Sequence, residues 1–125
     1  MEELIISGTP KTPSVKTDSN QGLLEITGRS NPENTIEVFK PIVNWVEEYA
    51  QNPGEKTTVN IQLEHFNTSS SKSLIGILKR FEAMKKEGRD VIINWHYEAD
   101  DEDILEAGEN FESVIEIPFN MIPVR

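Results

Sequence analysis

The chain is 125 residues long, carries 22 Asp and Glu against 12 Lys and Arg for a net charge of −10, and has no cysteine. At that length we expect one domain spanning 1–125 that buries about two-thirds of its unfolded surface, and 36% hydrophobic residues with both tryptophans in patterned segments mark it as globular. The missing cysteine removes disulfides, iron–sulfur clusters, thiolate zinc and thiol catalysis, while the acidic balance argues against nucleic acid or an anionic membrane, which need a basic face.

Met1-Glu2-Glu3 is acidic and is followed by only three apolar residues, which is no secretory signal. No uncharged apolar stretch nears the roughly 20 residues that span a bilayer. A soluble cytoplasmic domain is the expectation.

Residues 1–28 read as short strands: Leu4-Ile5-Ile6, then Ser14-Val15-Lys16, then a run in which Leu24 and Ile26 alternate with Glu25 and Thr27. Asp18-Ser19-Asn20-Gln21-Gly22 is rich in turn formers, so a hairpin is the natural join. Ser30-Asn31-Pro32-Glu33 has the marks of a helix start, with a Ser or Asn cap and Pro in the first turn. Ile36, Phe39, Ile42, Val43, Val46 and Tyr49 follow as a helical stripe that Asn52-Pro53-Gly54 stops.

A strand comes next, with Val59, Ile61 and Leu63 on one face and Thr58, Asn60, Gln62 and Glu64 on the other. Strict alternation implies a sheet covered on one side only. A second helix follows Asn67-Thr68, burying Leu74, Ile75, Leu78 and Phe81 and stopping near Gly88. Val91, Ile93, Trp95 and Tyr97 give the third long strand. Asp100-Asp101-Glu102-Asp103 opens a third helix with the stripe Ile104, Leu105, Gly108 and Phe111, and Val114-Ile115-Glu116-Ile117 reads as a closing strand ended by Pro118. Helices alternating with strands imply an α/β layer with parallel pairing.

His65-Phe66-Asn67-Thr68-Ser69-Ser70-Ser71-Lys72 joins the C-terminal end of a strand to the N-terminal end of a helix, the edge where ligands and partners usually meet open α/β sheets. One hydroxyl suffices as a cap; the others are either tolerated polar residues or a presented group. Helical phase turns Ser71 inward with Leu74, Ile75 and Leu78, and puts Thr68 on the solvent stripe with Lys72, Gly76 and Lys79. Thr68, or its neighbour Ser69, is therefore the hydroxyl a partner would meet. A phosphate there, of about −1.5 to −2 charge, would find free amides and a favourable dipole, so it would alter docking without melting the fold.

Pro32-Glu33-Asn34, Trp45-Val46-Glu47, Phe66-Asn67-Thr68-Ser69-Ser70 and Trp95-His96-Tyr97 together resemble the SiaC-type regulatory phosphoproteins, whose fold is like the STAS domains of anti-sigma factor antagonists. The resemblance runs from Gly8-Thr9-Pro10 to Pro118-Phe119. It implies a single STAS-like α/β domain, a mixed sheet with an N-terminal hairpin and about three helices mainly on one face. It also implies a non-enzymatic partner switch. Thr68 would be phosphorylated by a dedicated kinase and dephosphorylated by a PP2C-type phosphatase, with Ser69 as the alternative acceptor and Asn67, Ser69, Ser70 and Lys72 as the phosphate environment and partner-binding neighbours. The unphosphorylated form would bind a diguanylate cyclase and promote cyclic-di-GMP synthesis, favouring biofilm or aggregation. An anti-sigma factor antagonist with the same chemistry is the alternative output.

A rival from another class is a small hydrolase using Thr68 or Ser69 with His65. His65 shares strand parity with the covered face, and no nucleophile elbow or other hydrolase motif is present. His96 lies on the face opposite Trp95, and two histidines 31 positions apart make a thin metal site. Asp100 to Asp103 lack the spacing and central glycine of a calcium loop and suit a helix dipole instead. No metal and no cofactor is expected. Gly108, on a buried stripe, suggests close backbone approach to the sheet, and Trp45 and Tyr97 serve as packing residues or as a partner's anchor.

Overall fold

Apolar alternation of period two, interrupted by three stripes of helical period, becomes six strands and three helices in the computed structural model, which describes residues 1–125. In chain order these are β1 (Ile5–Ile6), β2 (Ser14–Asp18), β3 (Leu23–Ser30), α1 (Thr35–Gln51), β4 (Lys56–Phe66), α2 (Thr68–Lys86), β5 (Asp90–Glu98), α3 (Glu102–Val114) and β6 (Phe119–Val124). One sheet takes all six strands in the order β1-β2-β3-β4-β5-β6. The first three are antiparallel neighbours, and β3 to β6 are parallel, each joined to the next through a helix. The mixed α/β architecture with an N-terminal hairpin is as the sequence implies.

Burial follows the alternation. Leu24 and Ile26 of β3, Val59, Ile61 and Leu63 of β4, and Val91, Ile93 and Trp95 of β5 are all buried, and the helices lay Phe39, Ile42, Val46, Leu74, Leu78, Phe81 and Phe111 onto them. Trp95 sits edge-on to Phe111 at 5.3 Å and to Phe66 at 6.0 Å. Gly108 is the reason α3 can lie so close, since a Cβ there would come within 2.6 Å of the Trp95 ring. The expected close approach is thus made to one residue.

The opposite face of the sheet carries no helix. Glu25, Asn60, Asn94 and Asn120 stand in register there across four strands. Asn60 Nδ2 donates to Glu25 Oε2 at 3.1 Å, Asn94 Nδ2 to Asn60 Oδ1 at 2.8 Å, and Asn120 Nδ2 to Asn94 Oδ1 at 3.0 Å. No helix is long and apolar enough to cross a membrane.

Three local expectations are corrected. Ser30 does not cap α1: it still pairs with Phe66 in the β3–β4 ladder and is fully buried, and Asn34 caps the helix by accepting from the Glu37 amide at 3.3 Å. Val114 to Ile117 is not a strand. α3 runs to Val114, Ile115 and Ile117 plug the core from the connector, and pairing starts at the Pro118 carbonyl, which accepts from the Ile93 amide at 3.0 Å. Pro123 fits in β6 because that strand is the sheet edge, where one row of amides needs no partner. Trp45 is no surface anchor; it is buried, stacked on Tyr49 at 4.9 Å.

Candidate functional site

β4 brings His65 and Phe66 to the C-terminal edge of the parallel strands, and Asn67 turns the chain into α2. Its side chain accepts from the Ser70 amide at 2.8 Å, satisfying one of the amides that a helix start leaves without a partner. The cap is itself tethered: the Asn67 amide donates to the Ser30 carbonyl at 2.9 Å, and Nδ2 to the Pro32 carbonyl at 3.3 Å.

The four hydroxyls beyond the cap have different surroundings. Ser70 is fully buried, its Oγ 2.7 Å from Ser30 Oγ and 3.1 Å from the Ser30 carbonyl oxygen. Ser69 Oγ lies 2.8 Å from Thr35 Oγ1 in the first turn of α1 and 3.3 Å from Asn67 Oδ1. Ser71 is half-buried. Thr68 is exposed, and no hydrogen bond engages its hydroxyl. Lys72, one turn further, is exposed and forms no ion pair.

Ser70 therefore does not face a partner, contrary to expectation, and it replaces Ser71 as the inward hydroxyl. The buried stripe of α2 is Leu74, Ile77, Leu78 and Phe81, with Ile75 only half-buried. Ile77 in place of Ile75 rotates that stripe, and Ser70 lies four before Leu74 and seven before Ile77. The inward serine pins the start of the helix while the outward threonine stays free.

His65 is exposed and not on the covered face. Gly28 pairs with Leu63 and Arg29 with His65, so Glu64 is the extra residue of a bulge, which reverses the side on which later residues point. His65 makes no hydrogen bond to Thr68 or Ser69.

The electrostatics of this helix start differ from those of its neighbours. α1 has Glu37 in its first turn and α3 has Glu102 and Asp103, whereas α2 has no acid in its first turn and Lys85 and Lys86 in its last. Asp101 caps α3, accepting from the Ile104 amide at 3.1 Å, and nowhere do three His, Asp or Glu converge to hold a metal ion.

Beside the site the sheet forks. β4 and β5 pair no further than Ile61 with Trp95, while β3–β4 and β5–β6 continue to Phe66 and Glu98. The fork opens a cleft of about 530 Å³ whose polar lining includes Arg29, Glu64, His96, Tyr97, Glu98 and Asp101. The sequence placed His96 and Tyr97 on a strand end without revealing this opening, since parting strands leave no local signal.

A model of the SiaC family of regulatory phosphoproteins matches residues 6–124. The chain belongs to that family. Among relatives of this SiaC-family chain, an uncharacterised protein of Pseudomonas aeruginosa strain UCBPP-PA14 is 34% identical over 119 residues, covering 95% of this chain and 94% of the relative. The crystal structure of apo-SiaC from Pseudomonas aeruginosa superposes with a TM-score of 0.89 at 34% identity, over 98% of this chain and 99% of that one. A crystal structure of the diguanylate cyclase SiaD in complex with its activator SiaC, from the same organism, gives a TM-score of 0.91 at 34% identity, over 97% and 99% of the two chains. The SiaC fold and family thus cover the chain almost end to end, including the Asn67–Lys72 segment.

Proposed function

We propose that this chain is a non-enzymatic switch, cytoplasmic in setting, whose unphosphorylated form binds and activates a diguanylate cyclase. A cognate kinase blocks that binding by phosphorylating Thr68, and a PP2C-type phosphatase restores it. The observation that carries the proposal is the Thr68 hydroxyl, exposed and unengaged at the start of α2 in a SiaC-family chain, while Ser69 and Ser70 are held by Thr35 and Ser30. The relative SiaC is named as activator of the cyclase SiaD, which supports the choice of partner.

The mechanism is electrostatic. A phosphate on Thr68 adds about −1.5 to −2 charge at a helix end whose dipole is positive and whose first turn has no carboxylate to repel it. Lys72, one turn on, partly neutralises it. The fold therefore keeps its stability, but a dianion buried in an interface is costly unless a cation receives it, so docking at this edge is lost. Asn67 and Ser69 shape the acceptor's surroundings, and the Asn67 cap makes Thr68 the first residue of α2.

The test is binding of purified protein to its cyclase, with cyclic-di-GMP production as readout. Thr68→Ala retains binding and activation but gains no mass with kinase and ATP, whereas the wild type gains about 80 Da on the peptide containing Thr68. Thr68→Asp weakens both. Equal binding by the two variants would remove the switch from this residue.

A further inference from the structure

Thr68 and Ser69 are adjacent hydroxyls at the start of α2, and both residues are exposed. Exposure therefore does not decide which of them can receive a phosphate. Their hydrogen bonds do differ. Thr68 Oγ1 has no partner, whereas Ser69 Oγ lies 3.3 Å from Asn67 Oδ1 and 2.8 Å from Thr35 Oγ1. Asn67 Nδ2 donates to the Pro32 carbonyl and Oδ1 accepts from the Ser70 amide, which fixes the oxygen end of that amide toward Ser69. The Ser69 proton is thus given to Asn67. A hydroxyl has one proton, so the 2.8 Å contact is made with the proton of Thr35, which rests on a Ser69 lone pair.

Thr35 reaches Ser69 from another element. It is the first residue of α1, 34 positions earlier in the chain, and it is buried. A buried, β-branched side chain has little freedom at χ1, and the two helix starts are already fixed against each other by Asn67 Nδ2 on the Pro32 carbonyl. Ser69 Oγ is therefore held in the gap between α1 and α2 by two bonds at once. Ser70, held by Ser30, is closed off in the same manner and more completely.

We propose that Thr35 is the specificity-determining residue of the switch: its hydroxyl holds Ser69 between the two helices and so restricts phosphorylation to Thr68. The inference rests on the reading that a kinase modifies Thr68, and it adds how the neighbouring hydroxyl is refused. In the transfer, the acceptor oxygen bonds to the γ-phosphorus of ATP and the bond from that phosphorus to the β–γ bridging oxygen breaks. ADP leaves, and the hydroxyl proton passes to the kinase. Thr68 enters this step as it stands. Ser69 must first give up two hydrogen bonds and turn out of the gap. Thr35 acts only through Ser69, as a positioning residue.

The test isolates the full chain from the cells it comes from, lysed into chelator to stop a metal-dependent phosphatase, and assigns phosphate to single residues by fragment mass spectra. The proteins are wild type, Thr68→Ala, and Thr68→Ala combined with Thr35→Val or with Thr35→Ser. Each is melted first, and Thr35→Ala takes the place of Thr35→Val if the valine variant is unfolded. Thr68→Ala alone is expected to stay unmodified at Ser69. Adding Thr35→Val puts about 80 Da on Ser69, at an occupancy about fivefold or more above Thr68→Ala alone, the worth of one net hydrogen bond. Thr35→Ser keeps a hydroxyl and restores the refusal, which a merely structural role would not require. An unmodified Ser69 in the folded Thr35 variant would overturn the role of Thr35, as would a phosphorylated Ser69 in Thr68→Ala alone; both leave the reading of Thr68 standing. A wild type without phosphate on Thr68 would overturn that reading and the role of Thr35 together.

Discussion

The Ser30 and Ser70 hydroxyl oxygens lie 2.7 Å apart, both fully buried and 40 positions apart in the chain. With Ser70 donating to the Ser30 carbonyl at 3.1 Å and accepting from the Ser30 hydroxyl, both groups are satisfied. The last residue of β3 thereby fixes where α2 begins.

Ser70→Ala leaves the Ser30 hydroxyl buried without a partner, an expected cost of about 1–3 kcal/mol, or roughly 4 °C of melting temperature for each kcal/mol at this length. Ser30→Ala with Ser70→Ala should cost less than the sum of the single changes, since neither orphan then remains. Additive losses in the thermal melts would show that the two hydroxyls do not act as a pair.

Charge separates the hydroxyls more sharply. Thr68→Asp puts a carboxylate in the exposed first turn of α2, where the dipole favours it by about 0.3–1 kcal/mol, so its melting temperature should equal or slightly exceed that of the wild type. Ser70→Asp puts the same group in a closed site and should be strongly destabilised or unfolded. A Thr68→Asp protein that melts well below the wild type would mean this threonine is not free to carry charge.

The two helical glycines predict opposite signs for one substitution. Gly108→Ala drives a Cβ into the Trp95 ring, which is buried and held by its Nε1 donating to the Ile104 carbonyl at 2.9 Å; overpacking of about 1–3 kcal/mol outweighs a helix gain of about 1 kcal/mol. Gly76→Ala keeps that gain with nothing to oppose it, since a Cβ there meets no atom within 4 Å. Melting curves should therefore move down for the first and up for the second, and a shared direction would contradict the packing.

Acid should unfold the protein through two carboxylates. Glu3 is held down to about 2, first by the Ser19 hydroxyl at 2.6 Å, then by the Ser19 amide, Thr17 Oγ1 and Trp45 Nε1. Glu82 is lowered chiefly by the Glu116 amide at 2.6 Å, with Lys79 and Lys86 adding to it. Folded-state values below the ordinary 4.5 mean that the stabilisation is complete above about pH 4.5 and fades as pH falls toward 2. Glu3→Gln and Glu82→Gln should each flatten the decline of melting temperature in that window. An unchanged decline in the double variant would place the acid lability elsewhere.

Strand faces, most of each helix stripe and the exposed Thr68 were legible because each is written in spacings of two to four residues, although Ile36 and Val43 of the α1 stripe lie exposed. The cap of α2 reads as one of the four hydroxyls, whereas Asn67, tethered to the Ser30 and Pro32 carbonyls, takes that place. What escaped depends on partners far along the chain. Ser30 reads as a cap by composition, yet Phe66 and Ser70 hold it in the sheet. Glu64 carries no mark of a bulge, so the side taken by His65 was misjudged. Ser70 displaced Ser71 because Ile77, not Ile75, faces the core, a difference of 160° of wheel angle or so between two residues of one type. Glu3 gave no sign at all: its four donors sit on Thr17, Ser19 and Trp45, and only the packing of α1 beside the N-terminal strands gathers them.

Strand order in the sheet is identical to strand order in the chain, so during synthesis each new strand finds its neighbour already made and adds at a finished margin. No slot has to be held open for a segment still inside the ribosome. Growth in one direction also gives the Thr68 turn its place in time, because Ser30, which anchors it, has emerged well before Ser70 arrives to be caught.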